Sequence, residues 1–151
     1  MFLRHPILTI ATIAYLGVVA WLTLGPQPFD DSSDGLIWKA LDLIARVPFL
    51  HWVTYAGVEF TGNVLMFLPV GMFFLLLLGR RRWWLAVLIG VAMTITIESV
   101  QIVIPGRVSD LRDVVANSVG ALIGVLLGLA LTAQKARQLR ERDRPVPSTA
   151  R

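Results

Sequence analysis

The chain has no cysteine, which excludes disulfides, thiolate-bound metals and cysteine nucleophiles together. It has only two histidines, His5 and His51, far apart in the sequence, so a multi-histidine zinc site is excluded too. Charge is scarce: 16% of the 151 residues are Asp, Glu, Lys or Arg, against 56% hydrophobic residues. The mean hydropathy is +0.69. Long apolar runs rather than scattered residues supply that value, which argues against a soluble domain. A pI near 10.3 would suit a nucleic-acid binder, but the positive charges sit beside the apolar runs. There they set membrane orientation, and no nucleic-acid partner is expected.

A bilayer core of ~30 Å takes about 20 apolar residues of helix. Four segments qualify: 7–24, 62–79, 84–104 and 114–132. The first is expected to remain as a helix rather than serve as a signal peptide. No small-x-small cleavage site follows it, and Gly25, Pro26, Gln27 and Pro28 read as a helix stop. Arg4, Arg80, Arg81, Arg82, Lys135, Arg137, Arg140, Arg142, Arg144 and Arg151 fall on one side of this arrangement. Only Lys39, Arg46, Arg107 and Arg112 fall on the other. The positive-inside rule then places both termini in the cytoplasm.

The expected fold is all-α, a four-transmembrane-helix bundle forming one domain over 1–151. The first outer loop is expected to carry a short interfacial helix over 36–47, which is too short to span and has Lys39, Asp42 and Arg46 on one face. Residues 134–151 read as a charged cytoplasmic tail that continues the fourth helix briefly and then loses order.

Polar residues inside spans are costly, near ~3 kcal/mol for a central charge. Glu98 and Gln101 lie one turn apart on the third span, with Thr94 a turn below. A tight turn through Pro105, Gly106 and Arg107 leads to the fourth span, where Asp110, Asp113 and Asn117 form a stripe. That stripe runs on through Gly120, Gly124 and Gly128, small residues that let helices approach closely in lipid and leave open a homo-oligomer. Asn63 enters from the second span, and Pro69 deprives Leu65 of its helical donor and is expected to kink that span.

These seven polar residues are expected at one depth near the outer face. Polar side chains also hold membrane helices together, at ~0.6–2 kcal/mol each, and Arg107 paired with Asp110 or Glu98 would make burial tolerable. Seven groups, three of them acids, exceed what packing needs. They are read as an outward-opening pocket.

Residues 59–71 (EFTGNVLMFLPVG), then Glu98, Ser99, Val100 and Gln101, then Pro105, Gly106 and Arg107, then 110–120 resemble the VanZ-like family, whose prototype is a teicoplanin-resistance accessory membrane protein. The resemblance covers 50–131. It implies a multi-pass protein of the bacterial inner (plasma) membrane, linked in places to glycopeptide tolerance, with no settled activity. The family's polar signature falls on Asn63, Glu98, Gln101, Arg107, Asp110, Asp113 and Asn117, with Pro69 and Gly71.

The expected ligand is an envelope lipid or amphiphile headgroup. No cofactor is required, although Asp110, Asp113 and Glu98 suit a divalent cation and Arg107 a phosphate or carboxylate. An intramembrane enzyme acting on a lipid-linked substrate, with Glu98 as acid or base, is the alternative. No nucleophile motif supports it. A transporter is weaker still, because polarity does not continue inward past Thr94 to Val91, Ile89 and Leu88.

Overall fold

The computed structural model describes residues 6–25, 54–105 and 109–142. The expected interfacial helix over 36–47, His5, His51, Arg107 and the last nine residues of the tail lie outside the described residues. Among the described residues the chain is all-helical, with α1 (Pro6–Leu24), α2 (Tyr55–Leu78), α3 (Trp83–Gln101) and α4 (Leu111–Arg142). Four helices are long and apolar enough to cross a membrane. Large apolar side chains such as Ile7, Ile10, Ile13, Leu65, Leu88 and Leu126 lie exposed along them, as lipid-facing positions require. Trp21 at one end, and Trp83 and Trp84 at the other, are exposed as well. Ring-bearing residues at both ends fit the two interfaces of a bilayer.

Helix limits depart from the hydropathy runs where local chemistry decides. α2 starts seven residues before 62 because Thr54 caps it, its hydroxyl accepting from the Gly57 N–H at 3.1 Å. α3 ends three residues before 104. Val103 and Ile104 tighten the last turn, their N–H groups donating to the Val100 and Gln101 carbonyls, since the residue before Pro105 is steered away from the α region. α4 continues to Arg142, almost three turns beyond 132. α2 stays a single helix through Pro69.

At the other end α2 and α3 are joined by a three-residue 3₁₀ turn, Arg80–Arg82. Gly79 makes this reversal with φ of 81° while its N–H donates to the Leu75 carbonyl at 2.8 Å. A left-handed backbone here favours glycine. Arg80 Nη1 donates to Thr132 Oγ1 at 3.3 Å, tying the turn to α4.

α4 packs most extensively on α2 and next on α3. Gly120 and Gly124 lie against the Val64 and Leu68 carbonyls of α2, and Gly71 lies against the Ala121 carbonyl of α4. Gly128 meets Leu75 and Gly90 meets Ala121. Without side chains at these points the backbones come together and dispersion contacts replace lipid. The glycine stripe is therefore filled from within the chain.

Around this crossing Val19, Phe67, Val70, Ile97 and Ala121 form one buried cluster, and Leu75, Ala86 and Val125 form another nearer the arginine turn. α1 joins through Val19 and through Tyr15. The Tyr15 hydroxyl donates to the Met66 carbonyl at 2.8 Å, and its ring meets Phe73 edge-on at 5.7 Å.

Candidate functional site

Polar side chains gather where α1 and α3 end and α2 and α4 begin. Glu98 is 6% exposed. Its Oε2 accepts from the Ser109 hydroxyl at 2.7 Å and from the Asp110 N–H at 3.0 Å. A buried carboxylate thus docks onto the start of α4, where unpaired N–H groups and the helix dipole favour negative charge. Asp110 is itself the helix cap, with Oδ1 accepting from the Arg112 N–H at 2.8 Å.

Asp113 sits one turn into α4, half-buried. Asn63 of α2 hydrogen-bonds its carboxylate, and the charges of Glu59, Glu98 and Asp110 all act on it. Four carboxylates from three helices therefore share one electrostatic neighbourhood, with an amide among them. This end of the bundle is acidic, whereas Arg80, Arg81, Arg82, Lys135 and Arg137 occupy the other.

The remaining two amides are placed differently. Asn117, only 2% exposed, lies a turn deeper and donates from Nδ2 to Thr94 Oγ1 at 2.9 Å. Gln101 turns to α1, donating from Nε2 to the Thr23 carbonyl at 2.9 Å. Both are links between helices. Gln101 Oε1 and Asn117 Oδ1 are buried with no partner among the described residues.

Of the seven expected residues, Asn63, Glu98, Asp110 and Asp113 share a neighbourhood, Asn117 pairs with Thr94 a turn deeper, Gln101 turns to α1, and Arg107 is outside the described residues. Glu98, Asp110 and Asp113 are not placed as a close oxygen ligand set. Among the described residues no group of three or more such side chains is placed to hold a metal ion. The reason is prior commitment: Glu98 receives a hydroxyl and an amide, and Asp110 caps its helix. Glu59, Ser109 and Thr23 complete these contacts. Glu59 and Ser109 stand beside the polar motifs in the sequence. Thr23 contributes a backbone carbonyl and has no sequence signal.

The VanZ/LLP1 family pattern matches residues 12–132. The chain belongs to the VanZ/LLP1 family. It is a multi-pass membrane protein of VanZ type, and the match takes in all four apolar helices. No curated protein and no solved structure matches the chain.

The Thr94–Asn117 pair gives a direct measure of helix linkage in this VanZ-type bundle. A double-mutant cycle with Thr94→Val and Asn117→Leu should yield a coupling of about 0.6–1.7 kcal/mol in reversible unfolding in mixed micelles. The double variant should be more stable than Asn117→Leu alone, since no hydroxyl is then stranded. A coupling of zero would mean that the two side chains do not meet.

Proposed function

We propose that this protein binds the polar head of an envelope lipid or related amphiphile at its acidic end, and that this end faces outward from the bacterial plasma membrane. Charge asymmetry supports the orientation: Arg80, Arg81, Arg82, Lys135 and Arg137 lie at the opposite end, which the positive-inside rule assigns to the cytoplasm together with both termini. The observation that carries the binding role is the Asn63–Asp113 pair with Glu59, Glu98 and Asp110 around it. Half-buried Asp113 is repelled by the buried Glu98 and by the exposed Glu59 and Asp110. Glu98 and Asp110 secure the start of α4, but placing Asp113 beside them adds repulsion that packing does not require and that a headgroup rich in hydroxyl or ammonium donors relieves.

The test is mass spectrometry of lipid copurified with the full chain. Asp113→Asn should lower the retained ligand about tenfold and leave the amount of protein in the membrane unchanged. Equal loss of ligand and of protein would return Asp113 to a purely structural role. Repeating the measurement with a chelator addresses the divalent cation: loss of ligand keeps it, and unchanged ligand removes it. Catalysis by Glu98 has less support, because its Oε2 already accepts two hydrogen bonds that hold the start of α4 and no nucleophile motif accompanies it.

A further inference from the structure

α1 and α3 do not close on each other along their whole length. Between them lies a cavity of about 280 Å³ lined by Leu16 and Ala20 of α1 and by Ala92, Met93, Thr96 and Ile97 of α3. Ala20, Ala92 and Thr96 are exposed, so the cavity is a groove open to its surroundings. Its only hydroxyl is spent: Thr96 Oγ1 donates to the Ala92 carbonyl of its own helix at 2.8 Å. The walls therefore present methyl and methylene groups.

The groove lies in the outward half of two spans, from the middle of α3 to within one turn of its polar end. Hydrocarbon is the medium at that depth. The volume holds about nine groups of water size, and a methylene is of similar bulk. That suits a stretch of one alkyl chain rather than two.

The outward end of the groove is polar. One turn beyond Ala20 is Thr23, one turn beyond Ile97 is Gln101, and these two are joined by the Gln101 Nε2 to Thr23 carbonyl bond. Gln101 is 7% exposed, and its Oε1 has no donor among the described residues. An unpaired carbonyl in a water-poor setting calls for a donor. It stands about 6 Å from the level of Ile97, where the first carbons of a chain seated in the groove would join their head.

We infer that the α1–α3 groove seats the alkyl chain of a single-chain amphiphile whose linkage region carries a hydroxyl or amide N–H for Gln101 Oε1. Fully esterified diacyl lipids offer only acceptors there and fit poorly on both counts. The inference rests on the proposed binding role and names the class of ligand: a lysolipid-like or N-acyl amphiphile, with its head at the acidic end.

The test uses the full chain in nanodiscs and two probes with the same diazirine-bearing acyl chain, lysophosphatidylcholine and diacyl phosphatidylcholine. The lyso probe should label peptides spanning 92–97 about tenfold more than the diacyl probe. Ala92→Phe, which fills the groove from its open side, should cut that labelling about tenfold. Leu88→Phe, on a lipid-facing position outside the groove, should leave it unchanged. Gln101→Met should erase the preference for the lyso probe while chain labelling persists. Equal labelling by both probes, or by Ala92→Phe and wild type, overturns the groove whatever Asp113→Asn does. If Asp113→Asn labels like wild type while Ala92→Phe does not, the groove stands and the headgroup site falls. A cross-linked dimer that Ala92→Phe disperses, with no lipid labelling, assigns the groove to a second copy and overturns the lipid reading.

Discussion

Replacing Gly124 by alanine should destabilise the bundle by about 1–3 kcal/mol, and Gly120→Leu with Gly124→Leu together should prevent the chain from being recovered folded. The added Cβ at 124 overlaps the Leu68 carbonyl and approaches the Met72 N–H, and that at 120 overlaps the Val64 carbonyl. These are backbone atoms, so no rotamer change relieves the clash. α2 and α4 must separate, and overpacking of this kind costs in that range per site. In lipid the loss is felt fully, because apolar side chains gain nothing from water exclusion once inserted and packing is the main force between helices. Alanine at Gly17, which has no heavy atom near its Cβ position, is the control and should change stability by less than about 0.5 kcal/mol. Thermal unfolding in mild detergent, followed by size exclusion, reads both. Equal melting temperatures for Gly124→Ala and Gly17→Ala would disprove the α2–α4 crossing.

Removing the Glu98 carboxylate should have an effect of similar size by a different route. Glu98→Ala strands the Ser109 hydroxyl and the Asp110 N–H, each previously donating to Oε2. Hydrogen bonds to a charged acceptor contribute about 1.5–3 kcal/mol each, and Glu98→Ala removes two of them. Glu98→Gln keeps an acceptor carbonyl and should lose less than half as much. If alanine and glutamine variants unfold at the same temperature as wild type, the carboxylate is not what holds the start of α4 to the end of α3.

Apolar length alone marked the four spans, and small-residue spacing marked the packed face of α4. Both are collective signals that no single residue can erase. Helix ends were harder, because they depend on one cap at Thr54 and one proline at 105. The partner of the glycine stripe was not legible at all. Gly120 and Gly124 meet the carbonyls of Val64 and Leu68, and every residue owns a carbonyl. The candidate site divides the same way. Asn63, Glu98, Asp110 and Asp113 stood out because amides and acids are rare in spans. Gln101 and Asn117 stood out equally, yet they link helices, one to a backbone oxygen of α1 and the other to Thr94. Rarity in a span flags a polar residue without saying what it faces.

The three-residue Arg80–Arg82 turn makes α2 and α3 a hairpin at birth, but the surface α2 fits best arrives only with α4, some forty residues on from Leu68. Synthesis and final neighbourhood thus run in different orders. For that interval the Val64 and Leu68 carbonyls, shaped to receive bare glycine, have only lipid tails beside them.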